Sequence, residues 1–326
     1  MRPNLALAPA TYVNYELFVR LHIAPRLGAR RLDRLNLRDV QTWINEVPYL
    51  SVLRAGQDVA RSKNKRRCCA VGKCCEARLS SRTVNDIRAC LRAALTQAVT
   101  EDLVTKNMAN SMKLPSVRKR KGKAWSSEEA RQFLEPARSE CDPLYAVYVL
   151  ILVLGLRKGE VLGLTWDDID LDAGELSIGR QRQRVSRQLL HRETKTSTSD
   201  ATLPLPDVCV AALRLRKVEE AHARDTAGSA WQGGKLIFTT KWARRSSRAT
   251  STVHGMPAAR RLGVRKITVH DGRRTCATLL VDLDVHPREV MQILGTQIWV
   301  TMEIYAQASS RATRTALKRL GDSLYG

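Results

Sequence analysis

From Tyr145 to Leu156 the chain reads YAVYVLILVLGL, with no charged side chain and no polar face. A surface helix carries an apolar stripe beside a polar one, so a helix that is apolar on every side belongs at the centre of a domain, with other elements wrapped around it. The run is far short of the ~20 apolar residues that cross a bilayer. Nor does the opening stretch MRPNLALAPATYVNYE pair a basic region with an unbroken apolar core, as a secretion signal does. These features predict a soluble, cytoplasmic protein with no membrane partner.

With 326 residues, 44% of them hydrophobic, the chain has apolar material for a core in each of two domains. Residues 1–114 read as a helical bundle. One helix over 11–22 sets Tyr12, Tyr15, Val19 and His22 on a face, and one over 37–47 does the same with Leu37, Val40, Trp43, Ile44 and Val47. After a polar stretch from 51 to 80, a long helix over 81–104 carries Val84, Ile87, Leu91, Leu95, Ala98 and Val99 on its buried stripe. Pro115, Gly122 and the basic run from Arg118 to Lys123 then end the periodicity, making 115–123 a linker.

Residues 124–326 form the second domain. Ser126 and Glu129 make a capping box, and Asp142-Pro143 announces the apolar helix that ends at Leu154. Strand character follows at 175–180, 188–192, 201–205 and 236–240, with a polar Thr/Ser/Lys turn joining the second and third of these, and helices begin at Asp207, His270, Pro287, Ile298 and Arg311. The predicted fold is mainly α with one small antiparallel sheet, an α+β second domain behind a helical first one.

A net charge of +23 goes beyond what solubility requires and calls for a polyanionic partner, nucleic acid first among them. The excess is spread evenly. Residues 1–115 hold 20 Lys+Arg against 9 Asp+Glu, and the remainder holds 35 against 23, so both domains are expected to grip the same partner, as a clamp around a duplex would. Four of the eight cysteines, Cys68, Cys69, Cys74 and Cys75, form a CC-x4-CC cluster in a basic stretch. It reads either as a zinc site or as a loop of free thiols, adjacent cysteines being awkward partners for one metal.

Three short segments carry chemistry-bearing residues, and each alone has an ordinary explanation. GLRKGE places Arg157 at the end of the apolar helix between glycines, where pairing with Glu160 three residues on would account for it. HDGR sets His270 and Arg273 on one face of a helix start. TMEIY ends in Tyr305, which by itself is a tyrosine at a core edge.

Taken in order, GLRKGE, then HxxR, then LG…TMEIY, the pattern resembles that of the tyrosine recombinase or phage integrase family, in particular its actinobacterial integrases. The similarity runs over nearly the whole chain, with 1–114 resembling the core-DNA-binding, SAM-like domain and 124–326 the catalytic domain. It implies a site-specific recombinase that cuts and rejoins double-stranded DNA at attachment sites, integrating or excising a mobile element. Tyr305 would attack the scissile phosphate and form a 3'-phosphotyrosyl bond, conserving bond energy so that no cofactor or metal is needed. Arg157 and Arg273 would hold the non-bridging oxygens, His270 would donate a hydrogen bond or take the tyrosine proton, and Lys195 in a β-hairpin turn would protonate the leaving 5' oxygen. Glu160 would orient Arg157. A homotetramer on DNA and a directionality factor are the implied partners.

The sequence departs from the family at Thr296, which follows Leu294-Gly295 where histidine or tryptophan is usual. Threonine donates a hydrogen bond but is neither a cation nor a proton shuttle near neutral pH. The block 241–262 is also unusual, with six basic residues, no acidic one and no apolar period where a packed helix is expected. It reads as a divergent DNA-contacting loop or as a segment translated in a shifted frame. These departures keep a second reading open, a catalytically impaired recombinase that only binds DNA. A type IB topoisomerase and a helix-turn-helix regulator fit less well, the first because of the integrase-like first half, the second because it leaves the order of Arg157, His270, Arg273 and Tyr305 as coincidence.

Overall fold

The structure, a computed structural model, describes residues 7–49, 78–114, 124–185, 188–193, 201–231, 235–238, 264–296 and 322. The linker 115–123, Cys68, Cys69, Cys74 and Cys75, Lys195, the block 241–262, Tyr305 and the helices expected from Ile298 and Arg311 lie outside the described residues. The chain divides into two compact units, residues 1–120 and 121–326. The described elements are mainly helical with small antiparallel sheets.

In the first unit, α1 (Pro9–Phe18) runs into a π-helical turn at Val19–Ile23 and then a short α2 (Ala24–Leu27). The π turn, closed by the Ala24 N–H on the Val19 carbonyl, adds a residue to the helical repeat and so rotates α2 relative to α1. The expected stripe is corrected by it: Tyr12 is 48% and Val19 43% exposed, and Phe18 and Ile23 pack on the core instead. Helix α3 (Leu37–Glu46) begins with a reciprocal Asn36–Asp39 capping box and buries Val40, Trp43 and Ile44, leaving Leu37 outside. The Trp43 indole donates to the His22 carbonyl at 2.9 Å, fixing α3 against the π turn. Helix α4 (Ser81–Thr100) is capped by Ser80 and buries Val84, Ile87, Leu91, Leu95 and Ala98. It stops short of Val104 because Asp102 turns left-handed (φ 55°) and Leu103 N–H returns to the Ala98 carbonyl.

The second unit is built on the apolar run. Helix α6 (Tyr145–Val153) is buried at every position from Tyr145 to Leu152. It packs against α5 (Ser127–Ser139), α8 (Asp207–Ala227) and α9 (Val269–Asp282). Burying each of its valine, leucine and isoleucine side chains is worth about 1.5–3 kcal/mol, so α6 contributes substantially to the core. Phe133 of α5 lies 4.9 Å from both Trp125 and Tyr148, ring centre to ring centre. Trp125 also ties the start of the unit to α9, its main-chain N–H donating to Thr275 Oγ1 at 3.0 Å.

The expected small antiparallel sheet is present, three-stranded, and a separate two-stranded sheet accompanies it. Strands β1 (Ile169–Asp170), β2 (Glu175–Ile178) and β5 (Ala201–Pro204) form one antiparallel sheet in the order β1-β2-β5, and β3 (Arg180–Val185) pairs with β4 (Gln188–Glu193) in another. Pairing runs Ile178 with Ala201 and then Arg180 with Glu193, so Gly179 marks the break between the two ladders. The expected hairpin between 188–192 and 201–205 therefore does not form, since each strand pairs with an arm of 175–185. Of the strand expected over 236–240, the described residues 236–238 form one bridge, Leu236 with Thr165. Helix α10 (Pro287–Leu294) closes the described part of this unit.

Candidate active site

At the end of α6 the chain turns at Gly155, whose φ of +62° is strained for any residue with a Cβ. A Cβ there would also overlap Leu294 Cδ2 and lie 3.3 Å from Cys276 Sγ, so only glycine lets α6, α9 and α10 meet. Leu156 is buried, and Arg157 then takes an extended conformation as the residue before the four-residue helix α7 (Lys158–Val161). Glu160, 4% exposed, binds Arg157 twice: Oε2 accepts from the Arg157 main-chain N–H at 2.7 Å and Oε1 from Nη1 at 2.6 Å. Arg157 Nη2 donates to the Gly295 carbonyl at 2.8 Å.

Helix α9 starts with a reciprocal Thr268–Asp271 capping box. This sets His270 in the first turn, exposed, and Arg273 one turn on. Arg273 Nη1 donates to the Gly155 carbonyl at 2.6 Å and Nη2 to the Leu294 carbonyl. Burial and, next, the nearby Arg157 pull the Arg273 guanidinium down to about 10, with Glu160 opposing, so it remains a cation at neutral pH. Burial also lowers Lys158 from its usual range and pushes the Cys276 thiol up to about 12, leaving it an inert core group.

Leu156, Arg157, Lys158, Gly159, Thr268, Val269, His270 and Arg273 line one open cleft of roughly 410 Å³. Residues more than a hundred positions apart thus converge, and their joint chemistry is that of an anion site: two guanidinium forks, an ammonium and an imidazole around a space large enough for a phosphate. Sequence reasoning singled out Arg157, His270 and Arg273, which the structure brings together, while Lys195 and Tyr305 are outside the described residues. It missed Lys158 and the carbonyls of Gly155, Leu294 and Gly295; for the carbonyls the only sequence signal was the glycine next to each arginine-bearing or helix-ending segment. Thr296 directly follows Gly295, its N–H donating to the Met291 carbonyl at 3.2 Å. Among the described residues there is no group of three or more metal-ligating side chains and no helix long and apolar enough to cross a membrane.

Comparison with known proteins gives these features a setting. A family profile described as "Phage integrase family" matches residues 124–311, and one described as "Phage integrase, N-terminal SAM-like domain" matches residues 4–47. The chain is 26% identical to a "Tyrosine recombinase XerC-like" protein of Caldanaerobacter subterraneus subsp. tengcongensis, over 74% of this chain and 66% of that one. It is 25% identical to an "Integrase" of Streptomyces ambofaciens, over 87% of this chain and 68% of the relative. The chain thus spans about two thirds of the length of these relatives. Among solved structures, the Tn1549 transposon integrase in complex with circular intermediate DNA superposes with a TM-score of 0.71 at 18% identity, covering 98% of this chain and 96% of that one. A lambda integrase dimer bound to a core site gives 0.56 at 16% identity, covering 92% and 90%.

Proposed function

Since the chain belongs to the phage integrase family of tyrosine recombinases, we propose that it is a site-specific recombinase that cleaves and rejoins double-stranded DNA to integrate or excise a mobile element. The observation that carries this reading is the convergence of Arg157, His270 and Arg273 on one cleft, with both guanidiniums anchored by the protein's own acceptors. Phosphoryl transfer needs little covalent work from a protein beyond a nucleophile; it needs fixed positive charge around the phosphate as the transition state forms.

In the proposed reaction the Tyr305 hydroxyl oxygen attacks the scissile phosphorus and the 5' oxygen leaves, taking a proton from Lys195. Arg157 and Arg273 bind the non-bridging oxygens, and His270 takes the tyrosine proton or donates to the phosphate. Rejoining runs the same steps backwards, with a 5' hydroxyl displacing tyrosine, so no external energy source enters. We assign residues 1–114 as the helical core-DNA-binding domain, 115–123 as a basic linker and 124–326 as the catalytic domain, the two domains clamping the duplex in the cytoplasm. Two duplexes exchanging strands call for four such sites, hence a homotetramer on DNA, with a directionality factor as a further partner.

A nicked suicide duplex spanning the joined ends of the element that carries the gene tests the reading. Wild-type protein is expected to form a covalent adduct that disappears in Tyr305→Phe. Thr296 supports one other reading, a remnant that binds DNA without cutting it, because the residue after the Gly295 turn has no charge to offer the phosphate. Retained duplex binding with no wild-type adduct would favour the remnant.

A further inference from the structure

We infer that the closing turn of α10, Leu294–Gly295, is a positioning element that sets both cleft arginines at once through two successive main-chain carbonyls. The inference rests on reading Arg157 and Arg273 as the phosphate ligands.

An α-helix ends with carbonyls that have no partner inside the helix. At α10 two of them are answered by the chain itself, because Gly295 N–H donates to Gln292 at 3.3 Å and Thr296 N–H to Met291 at 3.2 Å. This closure requires Gly295 in the left-handed region, φ 51° and ψ 53°. The last two carbonyls of the turn are answered by arginines: Leu294 accepts from Arg273 Nη2 and Gly295 from Arg157 Nη2. The negative end of the helix dipole favours cations at the same place.

The turn is braced from the opposite side. Leu294 is buried and its Cδ2 occupies the space that a Cβ on Gly155 would take, while the Gly155 carbonyl holds the other Nη of Arg273. Arg157 and Arg273 therefore share one frame made of the ends of α6 and α10. Moving the Gly295 peptide moves an acceptor of each guanidinium together, which no single side chain in the cleft could do. Ten positions later in the chain stands Tyr305, so the same turn begins the segment that leads to the nucleophile.

The test substitutes Gly295 with two residues that differ in their tolerance of left-handed backbone. Alanine is more strained there than asparagine, whose short polar side chain can bond locally to the main chain. For Gly295→Ala the rate of covalent adduct formation on the nicked suicide duplex is expected to fall about tenfold or more, with duplex affinity within about twofold of wild type. Gly295→Asn should recover most of the lost rate. Arginine side-chain NMR of the free full-length protein, with signals assigned by Arg157→Lys and Arg273→Lys, should show both guanidinium signals shifting in the alanine variant and both returning in the asparagine variant. An alanine variant with the wild-type rate, an asparagine variant no better than alanine, or a shift of only one guanidinium signal would overturn the inference. Wild-type protein that forms no adduct overturns the recombinase reading, and the paired NMR shifts then decide the role of the turn on their own.

Discussion

The corner that presents Arg157 and the helix start that presents Arg273 deliver the same functional group to the same cleft by different electrostatic means. Arg157 is 43% exposed at its side chain and is held by a buried carboxylate, that of Glu160, so its charge is largely balanced inside the protein. Arg273 is more deeply set and is held by carbonyls of Gly155 and Leu294, neutral groups that orient a cation without cancelling it. Its lowered proton affinity, caused first by burial and then by Arg157, is the mark of that difference. A charge stripped of water and left unbalanced attracts an anion more strongly than one already paired, because the local dielectric no longer screens it. The buried arginine is thus the stronger candidate for transition-state stabilisation, and the exposed one for orientation.

Four measurements separate the two arginines. Arg273→Lys keeps a charge but loses the fork that spans two carbonyls, and adduct formation on the suicide duplex should slow by about 10²–10³-fold, the scale expected for removing a pre-set donor from such a site. Arg157→Lys should slow it only about tenfold, since Glu160 already offsets much of that charge; equal losses for the two variants would erase the distinction. Glu160→Gln keeps the shape of the cap but leaves Arg157 without its anion, which should lower stability by about 1–2 kcal/mol in urea unfolding.

The smallest effect is one of pH. An unfolded arginine keeps its proton to beyond pH ~12, whereas folded Arg273 releases it near 10. Folding disfavours the charged form, so the cost of burying it is fully present below about pH 10. That cost is relieved as pH climbs from there towards the unfolded value, and the stability contribution of this group rises over that window. Phosphate binding by Arg273 goes the other way. The cleavage rate should decline by a few-fold as pH passes ~10, and a rate that stays level to pH 11 would mean that Arg273 keeps its proton throughout.

Much of this architecture was legible from residue spacing. The capping box Ser126–Glu129, the buried stripe of α4 and the all-apolar α6 come from short-range rules that tertiary contacts only reinforce. Failures came where one residue changes the repeat. The π turn at Val19–Ile23 rotates the first helix by an added position that no periodicity announces. β3 reads RQRQRV, almost without apolar residues, and pairs with β4 through backbone bonds that are blind to side-chain identity. In the site, spacing also pointed to Glu160 as the partner of Arg157, but the other acceptors of the two guanidiniums are the main-chain carbonyls of Gly155, Leu294 and Gly295, a group that every residue possesses.

One detail of the sheets bears on how such proteins diverge. In sequence, seven residues, 194–200, separate β4 from β5, whereas the single residue Gly179 separates β2 from β3. The two ladders have separate registers, Arg180 with Glu193 and Ile178 with Ala201, whereas within one strand a one-residue slip inverts every side chain. Lys195 lies in this stretch. The number of residues that separate Lys195 from β4 and from β5 is therefore a heritable length that natural variation can change without altering the register of either ladder.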